Sequence, residues 1–504
     1  MSIVRASIKS PAPTDRHDRG LSTACSLAEA VAAREISAVD LTEAALSRLG
    51  EVGPRLSALA WLNDAQARRD AASMDLLAEI LGRKSLETHP LLGLPITVKE
   101  GLRVAGAPWM MGSSLSRNRI AREDGTVVAR LRAAGAVIVG LGAMAERALW
   151  PETVNKLTGR ALHPQDPQRT PGGSSGGDAA LVAARAVTAA VGTDGGGSVR
   201  IPAAYCGLYA HKPSASTVPL TGHVPMDCGP DHTAAPLAQF FTPGPITRHP
   251  ADLWPLLSVM AGSDGIQQGV DAPLSAESPS ASLLSGRTVY VLSNPRIGGV
   301  QSADAAQVMA VEAAAQTLQK QGATLQIVRD DLLVDAFAIW AGTLRCAADC
   351  DMEHLLGNGK RIGLLNETVA QLFGRGRHTG SAIFLALISR FDLTGPRTWR
   401  RWSERGERLK AELSAMLAPD AVMLCPPVPG AAPRHNSAFR HPFNVAPCAV
   451  FNALGNPATV APVLLGPEGL PRAVQIVARH GADHLTISAA LALARANLPN
   501  LKKE

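Results

Sequence analysis

Short apolar runs that alternate with segments of helical periodicity are the feature that most limits what this 504-residue chain can fold into. Four runs have the length and the residue types of buried strands: 95–99, 137–139, 289–292 and 325–328. A segment with apolar residues at helical spacing lies between the first two runs, where Asp124 is the predicted helix N-cap. A second such segment, at 303–321, lies between the last two runs. Because strands that alternate with helices form a parallel or mixed sheet with helices on its faces, the pattern predicts an α/β fold.

The rest of the chain divides into a tail, a linker and an insertion. The polar residues 1–24 predict a disordered tail, and residues 25–500 predict a single domain. Within this domain we expect a helical N-terminal region at 25–85 and a core that carries the candidate site at 86–262. A linker rich in Ser, Pro, Gly and Asp follows at 263–286, and the second half of the domain covers 287–500. The second half contains a mostly helical, aromatic-rich insertion at about 330–420, which we expect to lie beside the site.

Composition excludes several classes of protein. The 46% of apolar and 18% of charged residues are typical of a globular chain, and no uncharged apolar run reaches the about 18 residues of a membrane-spanning helix. The N-terminus lacks the apolar stretch of a secretory signal, and the seven cysteines are odd in number and widely spaced, which does not indicate a disulfide framework. We therefore expect a cytoplasmic protein without stable membrane insertion.

The net charge of +6 does not indicate a nucleic-acid partner, because the basic residues are scattered along the chain. The densest group lies at 397–408, where five arginines surround Trp399 and Trp402. This group could bind acidic lipid headgroups or nucleic acid. We interpret it instead as a solvated helix end whose two tryptophans face inward.

Cys346, Cys350 and His354 have a spacing that would suit a zinc ion if they lay along one helical face. An ordinary helix with two small buried thiols explains the same pattern. We adopt this second interpretation, and no metal is expected.

Two stretches rich in glycine and serine, at 170–178 and 192–200, are unlike the rest of the chain. Glycine at this density costs conformational entropy, so the backbone there must turn tightly or approach a neighbour closely. Neither stretch has the Gly-Lys-Ser/Thr ending of a phosphate-binding loop. Residues 172–176 match the Gly-x-Ser-x-Gly turn of α/β-hydrolases, but the preceding residues 163–171 contain three prolines and no apolar strand, which that turn requires. Two surface turns, or one site built from both stretches, remain.

One site built from both stretches would have a serine nucleophile. Ser198 follows three glycines whose N–H groups can converge on the oxygen that becomes negative when a carbonyl is attacked, and such donors are worth on the order of 3 kcal/mol each. Neither stretch contains a histidine to serve as the base, but Ser174 lies 24 residues upstream in a similar stretch. Lys99 ends an apolar run, and burial would let it act as a neutral base. A lysine at this position is more often an ordinary strand-end residue, so the residues alone leave its role open.

Three motifs resemble those of the amidase signature family. They are Gly-Leu-Pro-Ile-Thr-Val-Lys-Glu-Gly at 93–101, Pro-Gly-Gly-Ser-Ser-Gly-Gly at 171–177 and Thr-Asp-Gly-Gly-Gly-Ser-Val-Arg-Ile-Pro-Ala at 193–203. The motifs occur in the family's order, and further matches extend the resemblance from about residue 25 to residue 500. The resemblance implies a large mixed, twisted β-sheet covered on both faces by helices. It also implies hydrolysis of carboxylic amides without a metal or an organic cofactor.

The resemblance also gives roles to individual residues. Ser198 resembles the nucleophile that becomes acylated, Ser174 the bridging serine that a cis peptide bond holds in this family, and Lys99 the general base. The family's oxyanion hole matches four backbone amides: those of Gly195, Gly196, Gly197 and Ser198. Asp194 and Arg200 match charged positions that we expect to support the site.

Two positions depart from the family's pattern, and the substrate stays open. Gly195 stands where most members carry a larger residue, and we expect this glycine to loosen the oxyanion loop. Asp178 stands where a small residue or Glu is common.

The surroundings of Trp340 look most like those of the second fatty-acid amide hydrolase and its bacterial relatives. We therefore expect a small-molecule amide with an apolar acyl or arylalkyl part, bound in an apolar pocket of the insertion. The alternatives are a catalytically silent binding protein and a glutamine-hydrolysing amidotransferase subunit. A homodimer is left open.

Overall fold

The computed structural model describes residues 23–223, 240–270, 274–347, 351–390 and 394–496. The α-helices in these ranges are α1 Ala24–Ala32, α2 Ala38–Leu56, α3 Asp64–Leu81, α4 Thr126–Ala133, α5 Gly176–Ala183, α6 Arg200–Cys206, α7 Leu253–Met260, α8 Ala305–Lys320, α9 Ala336–Ala347, α10 Met352–Leu356, α11 Leu364–Leu372, α12 Gly380–Arg390, α13 Pro396–Met416, α14 Ala446–Ala453 and α15 Asp483–Arg495.

The strands in the same ranges are β1 Leu59–Leu62, β2 Pro95–Lys99, β3 Val137–Gly142, β4 Val154–Asn155, β5 Gly159–Arg160, β6 Ala189–Asp194, β7 Tyr209–Lys212, β8 Thr242–Thr247, β9 Thr288–Val291, β10 Thr324–Ile327, β11 Val422–Cys425, β12 Ala458–Leu465 and β13 Pro471–Ala478. Eleven of them form one sheet in the order β1-β3-β2-β6-β8-β7-β12-β13-β11-β9-β10, while β4 and β5 pair only with each other.

The large sheet is mixed, as the resemblance implied. β2 runs parallel to both β3 and β6, and β9 runs parallel to both β10 and β11. The strands between these two parallel groups pair antiparallel. The strand and helix runs found in the sequence belong to the parallel groups, because a parallel connection needs a crossover helix.

Hydrophobic cores cover both faces of the sheet. Along β3, Val137 and Val139 contribute to a core shared with α2, α3 and α5. Ile138 and Leu141 point to the other face and belong to the core formed with α4, α7, α8 and α15. The pairing of β3 with β2 shifts register between Ile138 and Gly140, which is why Val139 and Leu141 face opposite cores. Both faces of the sheet are buried, so the predicted two-sided covering is confirmed.

The four predicted strands are confirmed, with limits that differ by at most three residues. The helix predicted over 303–321 is α8, but the N-cap assigned to Asp124 is wrong, because Gly125 precedes α4. The Asp124 carboxylate instead accepts a hydrogen bond from Ala105 N at 2.7 Å and pairs with Arg132. The sequence reasoning also missed β1, a four-residue strand that pairs with β3 at the sheet edge.

The tail and the linker are only partly described. Residues 1–22 lie outside the described part of the chain, but the predicted tail extends too far, since α1 begins at Ala24 with Thr23 as its N-cap. The Ala24 N–H donates to the buried Asp252 carboxylate at 2.7 Å, which attaches α1 to the core. The described residues of 263–286 contain no helix and no strand.

The described residues of the predicted insertion form helices α9 to α13. Trp402 of α13 packs on Gly342 of α9, where an added Cβ would lie 2.6 Å from the Trp402 Cβ, so Trp402 faces inward as expected. Trp399 is partly exposed, and its indole N–H donates to Thr394 Oγ1 at 2.9 Å. Most of the arginines near these tryptophans are exposed.

The candidate zinc ligands do not share one helical face within the described residues. Cys350 lies outside them, and Cys346 and His354 lie on two different helices, α9 and α10. Among the residues with a described placement, no group of three His, Cys, Asp or Glu could hold a metal ion. No helix in the same ranges is long and apolar enough to cross a bilayer.

Candidate active site

Lys99 ends β2, and its side chain is fully buried beside the neighbouring parallel strand β6. The Nζ atom donates hydrogen bonds to Ser174 Oγ at 2.8 Å, to Thr193 Oγ1 at 2.9 Å and to Thr193 O at 3.2 Å. Burial lowers the pKa of Lys99 to about 7, although the carboxylates of Asp178 and Asp194 oppose the shift. An amine with this pKa is partly neutral at neutral pH and can accept a proton.

Ser174 connects Lys99 to the second glycine-rich stretch. It lies just before α5, it is fully buried, and the Gly173–Ser174 peptide bond is cis. The next residue, Ser175, donates its backbone N–H to Ser198 O at 3.1 Å, so the two stretches are in direct contact. Ser198 is partly exposed, and its hydroxyl makes no hydrogen bond to the residues that the structure describes. The first hydrogen bond of a Lys–Ser–Ser relay is therefore formed, and the second is not.

Three backbone N–H groups of the loop 195–198 donate to no described residue: those of Gly195, Gly196 and Ser198. The carbonyl oxygens of the same three peptide groups each accept a hydrogen bond: Asp194 O from Asn452 Nδ2 at 3.0 Å, Gly195 O from Trp340 Nε1 at 3.0 Å and Gly197 O from Ile201 N at 2.7 Å. Because N–H and C=O point in opposite directions across a trans peptide, each carbonyl contact turns the free N–H away from the contacting residue. The loop thus holds three oriented donors.

Gly197 is not one of these donors, which corrects the predicted oxyanion hole. Its N–H donates to Asp194 Oδ1 at 2.7 Å, because the turn brings the carboxylate back onto the amide three residues later. Glycine is required here for another reason. Its φ is +106°, and an added Cβ would lie 2.7 Å from the Cys448 Cβ. The amides available to an oxyanion are those of Gly195, Gly196 and Ser198.

Asp194 and Arg200 form a fully buried ion pair under the loop. Two guanidinium nitrogens donate to the two carboxylate oxygens, both at 2.9 Å. The remaining guanidinium hydrogen bonds reach Cys448 O at 2.9 Å, Gln475 Oε1 at 2.7 Å and Asn452 Oδ1 at 2.6 Å. Burial by itself would raise the pKa of Asp194, but the Arg200 guanidinium holds it well below its usual range. The pair therefore contacts both the loop and the elements packed beneath it, and the supporting role of the two residues stays a prediction.

The expectation that Gly195 loosens the loop is wrong. An added Cβ at Gly195 would lie 2.2 Å from Phe241 Cε1, so the phenyl ring already occupies the volume of a larger side chain. On the other side, an added Cβ at Gly196 would lie 3.1 Å from Trp340 Cζ2. The two aromatic rings pack on the consecutive glycines and confine the loop.

Asp178, the other departure from the family's pattern, lies close to the candidate base. Its buried carboxylate accepts a hydrogen bond from Thr97 Oγ1 at 3.1 Å, and Thr97 shares a side of β2 with Lys99. Its second oxygen has no partner among the described residues. Burial raises the pKa of Asp178 to about 7, while the charge of Lys99 opposes the shift. Asp178 therefore adds a second group that titrates near neutrality.

Sequence reasoning missed four residues that shape the site: Thr193, Phe241, Trp340 as a donor, and Asn452. Thr193 stands in one of the three motifs, whereas no motif or periodic pattern in the sequence marks Phe241.

Only part of the insertion contacts the loop. Phe373 is 76% exposed, and Phe384 packs against Trp150 at a centroid distance of 6.0 Å.

Comparisons with known proteins show the family and the fold of the chain. A family model described as Amidase matches residues 40–487. Human fatty-acid amide hydrolase 2 is 32% identical over 477 residues, which cover 92% of this chain and 87% of the relative. A glutamyl-tRNA(Gln) amidotransferase subunit from Geobacillus thermodenitrificans is 33% identical over 366 residues, which cover 72% of this chain and 71% of the relative. A solved structure of 6-aminohexanoate cyclic dimer hydrolase complexed with substrate has a TM-score of 0.77 at 22% identity, covering 95% of this chain and 97% of that chain.

Proposed function

The chain belongs to the amidase family and hydrolyses carboxylic amides, and we propose that it does so through an acyl-enzyme formed on Ser198. Lys99 is the general base of this proposal, and Ser174 passes the proton between Lys99 and Ser198. The observation that carries the proposal is the 2.8 Å hydrogen bond from the fully buried Lys99 Nζ to Ser174 Oγ. A buried lysine without a directly bonded carboxylate gives up its proton readily, which is what a base must do.

The mechanism has two half-reactions that use the same groups. In the first, neutral Lys99 takes the proton of Ser174, and Ser174 takes the proton of Ser198 as the Ser198 oxygen bonds to the amide carbon. The amides of Gly195, Gly196 and Ser198 hold the negative oxygen of the tetrahedral intermediate. The relay returns the proton to the departing nitrogen, so ammonia or an amine leaves and the acyl-enzyme remains. In the second half-reaction water attacks the ester carbon, and the carboxylic acid departs with Ser198 restored.

Covalent labelling tests the assignment of the nucleophile. A fluorophosphonate should modify Ser198, and peptide mapping by mass spectrometry should find the label there and nowhere else. Ser198→Ala should abolish both labelling and amide turnover, and Ser174→Ala should slow both steeply. Ser214→Ala is the matched control, because Ser214 is also a buried serine but donates to Asp483 away from the loop. A label on Ser174 would contradict the assignment.

We further propose that the substrates are amides of apolar acids, with a medium to long acyl chain or an arylalkyl group. The match to human fatty-acid amide hydrolase 2 spans 92% of this chain, compared with 72% for the amidotransferase subunit. Aromatic rings beside the oxyanion loop also support an apolar site: Phe337 lies 5.8 Å from Trp340 and 4.4 Å from Phe443 between ring centroids. Apolar surfaces of this kind favour apolar acyl groups.

A homologous series of primary acyl amides tests the substrate class, with free glutamine as the control. Each methylene buried in an apolar pocket is worth about 0.8 kcal/mol, so roughly two extra carbons should raise kcat/KM about tenfold. A flat series, or glutamine as the best substrate, would favour the amidotransferase alternative and leave the Ser198 assignment standing. A protein that neither turns over any amide nor accepts the fluorophosphonate would be the silent binding protein.

A further inference from the structure

We propose that Trp340 is a positioning residue that orients the Gly196 N–H for the oxyanion, an inference that rests on the acyl-enzyme mechanism proposed above. Trp340 lies on α9 in the insertion, 144 positions beyond Gly196 along the sequence. Its indole Nε1 donates to Gly195 O at 3.0 Å. Gly195 O and the Gly196 N–H belong to one peptide group, so the indole that fixes the carbonyl also fixes the direction of the amide.

The Gly195–Gly196 peptide group depends more than the neighbouring peptide groups on a hydrogen bond from another part of the chain. Gly195 and Gly196 lack side chains, and a peptide between two glycines rotates more freely than any other. The Asp194–Gly195 peptide is held by Asn452, a buried residue that also bonds the Asp194 carboxylate. The Gly197–Ser198 peptide is held by Ile201 N in the first turn of α6. Among the described residues, Gly195 O accepts a hydrogen bond from Trp340 alone.

The indole is itself well placed by packing. Its neighbour Ile339 is fully buried, and α9 packs against both α13 and α14. The ring lies against Gly196, where an added Cβ would be 3.1 Å from Cζ2 and 3.7 Å from Nε1. The ring therefore covers one side of the peptide while its N–H holds the carbonyl.

Replacing the indole N–H tests the proposal. Trp340→Phe keeps an aromatic ring on the loop but removes the donor, and we expect kcat/KM for a small amide to fall about tenfold, as the loss of one ordinary hydrogen bond would give. The control Trp399→Phe removes an indole hydrogen bond of similar length, 2.9 Å to Thr394, on α13 away from the loop, and it should keep the wild-type value. The midpoint of the pH–rate profile should stay unchanged in both variants, because neither touches Lys99.

A second readout separates orientation of the oxyanion donor from simple loss of packing. A trifluoromethyl ketone forms a tetrahedral adduct with an oxyanion, whereas the product carboxylate does not. In Trp340→Phe the inhibition constant of the ketone should rise by the same factor by which kcat/KM falls, and affinity for the product should change less than twofold. If the affinities for the ketone and for the product fell by the same factor, Trp340 would contribute only packing to the pocket and the proposal would be wrong. An unchanged kcat/KM would also overturn it.

The same measurements remain decisive if the phenylalanine variant does not fold. Trp340→3-benzothienylalanine keeps the ring size and replaces the N–H by sulfur, so it removes the donor without opening a cavity. Wild-type turnover and the label on Ser198 test the proposed function independently. If both hold while the Trp340 variants behave as wild type, only the present inference fails.

Discussion

The surroundings of Lys99 lower its pKa and so allow it to act as a base. Its side chain is fully buried, and burial lowers the pKa of Lys99 to about 7. Other titratable groups lie close by: burial raises the pKa values of Asp178 and Glu100 to about 7 and depresses that of His223, which keeps His223 neutral. The charges of Lys99, Asp178 and Glu100 therefore change in the same pH range, so their titrations are coupled.

The charge of Asp178 should set the pH at which the enzyme becomes active. Since Lys99 must be neutral to act as a base, kcat/KM should rise with pH through about 7, and Lys99→Ala should lose both the activity and this rise. The Asp178 carboxylate favours the ammonium form of Lys99, so Asp178→Asn should lower the pKa of Lys99 and move the rise to lower pH. Asp252→Asn is the matched control, because Asp252 is also buried but lies against α1. A midpoint that stays at the wild-type pH in Asp178→Asn would refute the coupling.

The oxyanion loop shows how elements far apart in the sequence build one catalytic feature. Asp194 ends β6, and the loop that follows it contacts three distant residues: Phe241, which immediately precedes β8, Trp340 on α9 and Asn452 on α14. Each of these residues restricts one part of a backbone that glycine would otherwise leave free. Rigid supports of this kind keep hydrogen-bond donors in place before the substrate arrives.

The packing of Phe241 on Gly195 can be tested with a double-mutant cycle. Gly195→Ala should destabilise the protein by about 1–3 kcal/mol and reduce turnover, because the new methyl group would overlap the Phe241 ring. Phe241→Ala should make room, so the double variant should be more stable than the sum of the single effects allows. Gly50→Ala on α2 is the control, since nothing lies within 4 Å of its added Cβ. Thermal unfolding and kcat measure the outcome, and strictly additive effects would show that the two residues do not interact.

At the scale of the whole molecule, the Asp194–Arg200 pair joins the two halves of the chain. Arg200 begins α6 in the first half, and its other hydrogen bonds end on α14 and on β13 in the second half. The two halves also share one sheet, because β7 of the first half pairs with β12 of the second. The site therefore lies where the halves meet, and its geometry depends on both.

Removing Arg200 should destabilise the whole fold more at alkaline than at acidic pH. Arg200→Met leaves a buried, unpaired carboxylate, which costs about 3–5 kcal/mol. In the wild type the pKa of Asp194 is depressed, so the pair contributes fully above the pKa of an unfolded aspartate. In the variant, burial raises that pKa, and protonation relieves the penalty as the pH falls. Denaturant unfolding should give a larger difference at pH 8 than at pH 5. Arg68→Met is the control, because Arg68 pairs with Glu43 at the exposed surface, and it should change the stability little at either pH. Equal differences at both pH values would contradict this account.

The sequence by itself determined the α/β class, the four predicted strands and the helix predicted over 303–321, because periodicity and apolar runs reflect the immediate surroundings of a segment. It also indicated Lys99, Ser174 and Ser198, because they stand in three short motifs that resemble those of the amidase signature family. It missed β1, whose four residues are too few to show a period.

Only the tertiary structure decided how the loop works. That Gly197 donates to Asp194, that Phe241 fills the space above Gly195 and that Trp340 holds the Gly195 carbonyl all depend on where the backbone turns and on which distant element packs there. The lowered pKa of Lys99 likewise follows from burial, which a residue type cannot express. Hydrogen bonds of single peptide groups and the desolvation of a charge are set by the full three-dimensional surroundings, and no local pattern encodes them.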